Sequence, residues 1–286
     1  MKKILVTGAN GQLGRCLKDL TSDYPDYTFV FVSRELFDIT KYDMVRGFFR
    51  KNSFDYCINT AAYTNVEKAE SERDAAFAVN AEAVKNLSEV CRENDITLIH
   101  ISTDYVFDGE KNSPYVETDD TNPLNVYGAS KLKGEQYVKK ICSKYYIIRT
   151  SWLYSQYGHN FLNTIIKYAQ AGKNLTITTQ QSGTPTNAND LAKFILKIII
   201  NDTECYGLFH ISNAGVSTWY DFAETILENV NQNKPVNLAK TDHYVTFAKR
   251  PVYSVLDNSK FYEAFDAQAI DWKTSLASLL NKNVTI

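Results

Sequence analysis

A hydroxyl, a phenol and an ammonium occur in an order that suits proton transfer. Tyr127 and Lys131 are four residues apart, so on a helix they lie on one face, one turn from each other. Because a nearby positive charge favours the phenolate, we expect Lys131 to lower the pKa of Tyr127 and make it a usable proton donor. Such a pair is common by chance. The prediction therefore depends on Thr103 and on a glycine loop at the start of the chain.

Two elements must position these groups. Residues 98–101 form an apolar run typical of a buried strand, which delivers Thr103 to its carboxyl end. Pro123 is expected to open the helix that carries Tyr127 and Lys131, since proline is favoured in a first helical turn. Together they place three polar groups at one edge of a predicted sheet.

The glycine loop begins directly after the first strand. Residues 4–6 are continuously apolar, and Gly8, Gly11 and Gly14 follow before a helical pattern. Backbone amides at a helix N-terminus can meet a pyrophosphate when no Cβ intervenes, which predicts a dinucleotide site. The spacing is Gly-x-x-Gly-x-x-Gly rather than Gly-x-Gly-x-x-Gly, so a turn that serves only packing stays an alternative.

The second strand, at residues 28–32, bears on the choice of cofactor. An acidic residue at its tip suits the ribose hydroxyls of NAD, whereas an arginine suits the 2′-phosphate of NADP. Arg34 favours NADPH, while Glu35 and Asp38 lie close enough to keep NADH as the alternative. A solvated surface arginine is an equally good interpretation of Arg34.

The third strand, at residues 56–58, leads into a run of small residues that lets a flat ligand approach the backbone. A long helix is predicted over residues 72–94, and Asn80 lies beside its buried stripe. A buried amide needs partners. Asn80 is therefore expected either to bridge backbone groups or to join a water chain to the site.

Alternating strands and helices predict an α/β protein with a Rossmann-type doubly wound parallel sheet and a smaller C-terminal substrate-binding lobe. Residues 1–150 and about 187–213 are assigned to the dinucleotide-binding domain. Residues of about 151–186 and 214–286 are assigned to the lobe.

Composition limits the class of partner. The chain has 286 residues, a net charge of −2 and no long charged block, which predicts a small-molecule ligand rather than nucleic acid or a membrane. Its five cysteines are scattered without zinc-ligand spacing, so we expect reduced thiols and no metal. The apolar run at residues 194–200 is too short to span a bilayer. A soluble cytoplasmic protein, monomeric or weakly dimeric, is expected.

Several motifs resemble the extended short-chain dehydrogenase/reductases. They lie at residues 7–14, 59–64, 102–109, 127–131, 149–154, 183–186 and 249–254. Each motif alone is unspecific, but their combination is specific and covers nearly the whole chain.

The resemblance implies hydride transfer from a nicotinamide to the C4 ketone of a dTDP-bound 6-deoxy-hexulose. In the family's pattern Tyr127 protonates the forming alkoxide, Lys131 holds the ribose and lowers the tyrosine pKa, and Thr103 hydrogen-bonds the same oxygen. Two donors beside a cation would stabilise negative charge where it develops.

The resemblance also implies which residues bind the ligands. The predicted cofactor-binding residues are Gly8, Asn10, Gly11, Gln12, Leu13, Gly14, Arg34, Asp38, Ile39, Ala61, Ala62, Tyr63, Asn80, Tyr127 and Lys131. The predicted substrate-binding residues are Thr103, Asp104, Trp152 and Arg250.

Two other functions stay open. A sugar-nucleotide epimerase or 4,6-dehydratase would keep the fold, although a dehydratase would resemble Thr-Asp-Glu where this chain has Tyr105. The second open function is that of a non-catalytic NADP-binding regulatory subunit, similar to that of methionine adenosyltransferase. Some family members also carry a carboxylate after the third loop glycine, at a magnesium-bound dimer contact, and Arg15 replaces it here.

Overall fold

The computed structural model describes residues 1–230, 236–242 and 245–283. The strands are β1 (Lys2–Thr7), β2 (Tyr27–Val32), β3 (Tyr56–Asn59), β4 (Thr97–Thr103), β5 (Tyr145–Thr150), β6 (Leu153–Tyr154), β7 (Leu175–Thr178), β8 (Ser182–Gly183), β9 (Thr186–Asn187), β10 (Gly207–His210), β11 (Ser217–Thr218) and β12 (Leu238–Thr241). The α-helices are α1 (Gln12–Asp19), α2 (Tyr42–Lys51), α3 (Val66–Ser71), α4 (Arg73–Phe77), α5 (Ala83–Glu93), α6 (Val126–Ile141), α7 (Phe161–Gln170), α8 (Ala188–Asn201), α9 (Trp219–Asn229), α10 (Ser259–Phe265) and α11 (Trp272–Asn283).

The central sheet has six parallel strands in the order β10-β5-β4-β3-β1-β2. The chain runs outward from β1 to β2 and then returns to place β3 on the other side of β1. The strand order therefore reverses between β1 and β3, where open parallel sheets place their ligands. The predicted Rossmann-type fold class is confirmed.

Helices cover both faces of this sheet. Ile4 and Val6 of β1 face the side that packs against α1, α8 and α10. Leu5, between them, faces the opposite side, where α2, α5 and α6 pack. Because both faces are covered, the inner strands are apolar on either side, and all three of these residues are fully buried.

A second apolar cluster belongs to the C-terminal part of the chain. Leu162 of α7, Phe222 of α9 and Trp272 of α11 pack together, and β7 pairs with β12 beside them. Helix α10 instead contributes Phe261 and Phe265 to the core of the large sheet. The division of the chain into the two predicted ranges stays a prediction.

Two helices differ from the sequence-based expectation. The helix predicted over residues 72–94 is interrupted by a π-helical stretch at Ala78–Glu82 between α4 and α5. The helix expected to open at Pro123 begins at Val126, since the Asn125 side chain caps it by accepting from Gly128 N at 2.8 Å. In the described ranges, no helix combines the length and apolar character needed to cross a membrane.

Helix α6 packs unusually close to its neighbours. A Cβ at Gly128 would lie 2.1 Å from the Tyr105 carbonyl oxygen, and one at Gly134 would lie 2.2 Å from that of Asn80. A buried ion pair ties the same helix to the sheet: Arg149 on β5 donates to both carboxylate oxygens of Glu135, at 2.9 and 2.7 Å. The position of α6 over β4 and β5 is therefore tightly fixed.

Candidate active site

A cleft of about 730 Å³ opens at the carboxyl edge of the sheet, around the reversal of strand order. Most of the predicted site residues line it: Gly8, Asn10, Gly11, Gln12, Leu13, Arg34, Asp38, Ile39, Ala61, Ala62, Tyr63, Thr103, Asp104, Tyr127, Lys131 and Trp152. Gly14, Asn80 and Arg250 lie outside this lining.

The glycine loop has the form that a pyrophosphate requires. Gly8 has φ +68°, and a Cβ there would lie 2.7 Å from Ala61 N. Any larger residue at this position would therefore collide with the loop that follows β3. Gly11 caps α1, whose first turn carries no acidic side chain. Free amides at this helix end can therefore meet an anion without a competing carboxylate. Gly14 lies behind the loop and packs against it, since its Cβ would meet Gly8 O at 2.6 Å.

The tip of β2 forms one end of the cleft. The Arg34 side chain is 81% exposed, and its Nε lies 3.6 Å from Asp38 Oδ2. Asp38 Oδ1 in turn accepts from the Thr40 backbone at 3.0 Å and from its hydroxyl at 2.7 Å. Asp38 is therefore fixed by local hydrogen bonds, whereas the exposed guanidinium is available to a phosphate at the cleft mouth.

Asn80 supports the cleft from behind. Its amide accepts from Tyr63 N at 2.8 Å and donates to Tyr63 O and to the Ser130 hydroxyl, both at 3.0 Å. It is fully buried. Of the two predicted roles, the structure displays the bridging of backbone groups. The π-helical stretch brings Asn80 to this loop, which explains why the helix departs there from regular geometry.

The three predicted catalytic side chains meet in the same cleft. Thr103 ends β4, and its hydroxyl donates to Asp104 Oδ1 at 3.0 Å and accepts from Tyr105 N at 3.2 Å. Tyr127 stands in the first turn of α6 and Lys131 in the next. Lys131 Nζ donates to the Ile101 carbonyl on β4. The helix face and the strand end thus converge as the sequence predicts.

Burial controls the ionisation of this group. It raises the pKa of Tyr127 to about 12. The hydrogen bond between Tyr127 and Thr103 opposes this shift, and the Asp104 charge adds to it. Burial also lowers the pKa of Lys131 to about 8, against the charge of Glu135. The expectation of a lowered tyrosine pKa is therefore wrong, because the loss of hydration outweighs the hydrogen bond that opposes it.

Asp104 is a buried carboxyl on the floor of the cleft. Burial raises its pKa to about 6, although hydrogen bonds from Ser254 and Thr103 oppose the shift. It therefore holds its proton more firmly than an exposed aspartate does. Its partners come from β4 and from the C-terminal part of the chain, so Asp104 joins the two halves of the site.

The sequence missed the residues that hold Trp152. Trp152 has φ +44°, an uncommon conformation for an aromatic residue, and its ring stacks on Trp219 with 3.7 Å between centroids. Gly183 abuts the same indole, since a Cβ there would lie 2.5 Å from the ring. Trp219 itself lines the cleft. No local pattern links these residues, which lie 67 and 31 positions after Trp152 in the chain.

A second missed contact joins the glycine loop to the chain after β6. Gln12 Oε1 accepts from the Ser155 hydroxyl at 3.0 Å and from Asn160 Nδ2 at 2.8 Å. Asn160 also caps α7 by accepting from Asn163 N. Because the Gln12 side chain is engaged there, the segment after β6 is held against the loop predicted to bind pyrophosphate.

Arg250 and Arg15 form contacts other than those considered from the sequence. Arg250 Nη2 pairs with Glu67 Oε1 at 2.7 Å, away from the cleft wall. The Arg15 guanidinium lies 3.8 Å from the centre of the Tyr157 ring, a cation–π contact. Across the described part of the chain, no three His, Cys, Asp or Glu side chains cluster as a metal site would require.

Comparison with known proteins identifies relatives over the full length. The family profile described as RmlD substrate binding domain matches residues 1–285. A dTDP-4-dehydrorhamnose reductase of Aggregatibacter actinomycetemcomitans is 39% identical over 289 residues, covering 98% of each chain.

Solved structures give the same result. A dTDP-4-dehydrorhamnose reductase from Bacillus anthracis in complex with NADP has a TM-score of 0.92 and 35% identity, covering 98% of this chain and 99% of that one. Another from Clostridium acetobutylicum also has a TM-score of 0.92, with 38% identity and 99% coverage of both.

Asp104→Asn should remove a pH dependence from the stability of the fold. The wild-type pKa rises from 3.8 to about 6 on folding, so the folded state binds the proton more tightly, and this group's contribution to stability falls as pH rises from about 4 to 7. In urea unfolding, the free energy of unfolding of the variant should rise by up to about 3 kcal/mol relative to that of wild type as pH increases across that range.

Asp108→Asn is the matched control. Hydrogen bonds, first among them that from Glu110 N, lower the pKa of Asp108. The contribution of this carboxylate to stability is therefore lost as pH falls, so the stability of Asp108→Asn relative to wild type should fall, not rise, with increasing pH. A relative stability of Asp104→Asn that stays flat with pH would contradict a raised pKa.

Proposed function

The chain belongs to the dTDP-4-dehydrorhamnose reductase family, whose members are NADPH-dependent oxidoreductases, and we propose that it reduces the C4 ketone of dTDP-4-dehydro-6-deoxy-L-mannose to dTDP-L-rhamnose. One observation carries the mechanism: Thr103, Tyr127 and Lys131 line the same cleft as the glycine loop. A proton donor and a dinucleotide cradle in one cleft are what ketone reduction requires.

The chain's own residues would hold the cofactor along the sheet edge. The amides of Gln12 and Leu13, in the first turn of α1, suit the pyrophosphate, and the exposed Arg34 guanidinium suits a 2′-phosphate. The flat wall from Ala61 to Tyr63 suits the nicotinamide half. NADPH, when bound, supplies the hydride.

Tyr127 supplies the proton in this proposal. As the C4 oxygen gains negative charge it becomes more basic than a phenolate, so the Tyr127 hydroxyl can donate to it even with a pKa of about 12. The Thr103 hydroxyl, which donates to Asp104 Oδ1 in the structure, turns to donate its hydrogen to the same oxygen. The Lys131 ammonium, one turn along α6, then stabilises the phenolate that remains.

The competing functions differ in what the site can donate. A dehydratase needs an additional acid beside Thr103 and Asp104, and that position is held by Tyr105, which is buried and packs edge-on against the Tyr127 ring at 6.0 Å. A regulatory subunit would bind the dinucleotide without turnover. The convergence of Thr103, Tyr127 and Lys131 in one cleft favours an enzyme over the regulatory subunit.

A cofactor-oxidation assay tests the proposal. The protein is mixed with NADPH and a panel of dTDP- and GDP-linked 4-keto-6-deoxy sugars, and absorbance is followed. We expect oxidation with the dTDP-4-keto sugar and formation of dTDP-L-rhamnose. Tight NADPH binding without turnover on any sugar would instead favour a regulatory subunit.

Tyr127→Phe should lower kcat by about 10²- to 10⁴-fold, because it removes a positioned acid while keeping the ring. NADPH binding, measured by fluorescence, should change little. Tyr137→Phe serves as control, since that phenol lies on the same helix and bonds the exposed Glu82. Full activity in Tyr127→Phe would refute the assigned role.

Arg34→Ala should raise the KM for NADPH far more than the KM for NADH, because only NADPH carries the 2′-phosphate that the guanidinium would contact. Steady-state kinetics with each cofactor measure the two values. Arg50→Ala, an exposed arginine of α2 outside the cleft, is the matched control. Equal effects on both cofactors would discredit the role of Arg34.

A further inference from the structure

A row of buried polar side chains crosses the sheet and ends at Lys131. Thr7, Asn59 and His100 are directly paired positions on β1, β3 and β4. Their exposures are 0%, 1% and 0%. Polar groups in an apolar core cost free energy unless they are hydrogen-bonded, so a row of three suggests a role beyond packing.

The row is continuous. Thr7 Oγ1 lies 2.7 Å from Asn59 Oδ1, the Asn59 amide nitrogen lies 3.1 Å from His100 Nδ1, and His100 Nε2 lies 3.5 Å from Lys131 Nζ. An ammonium has three N–H groups. The Ile101 carbonyl and His100 occupy two of these directions, which leaves the third for the cleft that Lys131 lines.

The protons of the row depend on the charge of Lys131. A neutral imidazole has one N–H donor and one acceptor nitrogen. When Lys131 is an ammonium, Nε2 must accept, so Nδ1 carries the hydrogen and needs the Asn59 oxygen, which a half-turn of the amide from its orientation in the structure would present. When Lys131 is neutral, Nε2–H can donate to it, and Nδ1 accepts from the Asn59 amide nitrogen. The Thr7 hydroxyl suits both, since it can donate or accept.

We propose that Thr7, Asn59 and His100 form a reorientable hydrogen-bond row in which His100 is a positioning residue that changes tautomer with the charge of Lys131. The change releases one proton to solvent in total. Lys131 becomes neutral, and the imidazole keeps a single hydrogen, on Nε2 instead of Nδ1. The catalytic meaning of the row rests on the proposed function, whereas its proton arrangement does not.

The surroundings of Lys131 support this assignment. Tyr127 and Glu135 flank it on α6, and His100 faces it from β4. Arg149 on β5 engages both oxygens of Glu135, which reduces the effect of that carboxylate on the ammonium. Burial and the Lys131 charge hold the pKa of His100 well below its usual range, so the imidazole stays neutral.

Nitrogen-15 NMR of the imidazole rings tests the proton arrangement without substrate. The chain has four histidines, and the His100 signal is assigned by its loss in His100→Gln. If that variant does not fold, separate His159→Gln, His210→Gln and His243→Gln variants assign the other three signals, and the fourth is that of His100. We expect a neutral His100 that passes from Nδ1–H to Nε2–H near pH 8, the pKa of Lys131.

Lys131→Met is the control for this measurement. Without the titrating amine, His100 should keep one tautomer from pH 6 to 9. A wild-type His100 that keeps a single tautomer over that range, or that takes up a second proton, would overturn the proposal.

Kinetics test the consequence for Lys131. Asn59→Leu leaves Nδ1 without a partner in either tautomer. Because an orphaned buried N–H is tolerated less well than an orphaned acceptor, the ammonium form loses more, and the alkaline limb of kcat/KM should move to lower pH by about one unit. Thr7→Val should move it in the same direction by less, and it keeps the test open if Asn59→Leu does not fold. Ser88→Ala is the matched control, because that buried hydroxyl bonds within α5 and should leave the limb unmoved.

The two failures are distinguishable. If the wild-type protein reduces none of the panel sugars, the proposed function fails while the NMR result still decides the row. If the wild-type protein does reduce a sugar, and the alkaline limbs of kcat/KM for Asn59→Leu and Thr7→Val coincide with the wild-type limb, His100 does not position Lys131.

Discussion

The close packing of α6 on the sheet is the constraint on which the site depends. Two glycines let the helix backbone approach Tyr105 and Asn80, and the Glu135–Arg149 pair fixes its angle to β5. Tyr127 and Lys131 lie on the helix, whereas Thr103 lies on strand β4. The three side chains therefore meet only because the helix packs this close to the sheet. A buried ion pair contributes little net stability compared with apolar packing, but removal of either partner is costly. Its value here lies in fixing one arrangement of the catalytic groups.

Burial sets the chemistry that this arrangement can perform. Away from water, both charged forms are disfavoured, so Tyr127 keeps its proton and Lys131 loses its own more readily than a surface lysine does. The reasoning from sequence considered only the charge of Lys131 and so reversed the direction for the tyrosine. A phenol that keeps its proton until a stronger base forms donates at the moment when the substrate oxygen becomes negative. In the proposed reaction, desolvation therefore confines proton transfer from Tyr127 to the step in which the substrate oxygen becomes negative.

What could be predicted from the sequence was local. The β1 strand, the glycine loop and the Tyr127–Lys131 spacing are encoded within a few residues, and the structure places them as expected. The predicted start of α6 at Pro123 was wrong, because the helix begins at Val126 after the Asn125 cap. Contacts made across the fold, such as Trp219 on Trp152 and Asn160 on Gln12, have no periodic or short-range signal. The pKa directions were hidden for the same reason, since burial is a property of the folded chain.

The two halves of the cleft are built as one unit by these long-range contacts. The left-handed backbone at Trp152 is strained and persists because Trp219 and the space at Gly183 hold the indole from the C-terminal part of the chain. Gln12, in the glycine loop, is hydrogen-bonded to Ser155 and Asn160, which lie three and eight residues after Trp152 in the chain. The same short segment thus contacts the glycine loop and contributes Trp152 and Asn160 to the lining of the cleft. A shift of that segment would move both parts of the lining together, so in the proposed function it would couple the position of the dinucleotide to the space left for the sugar.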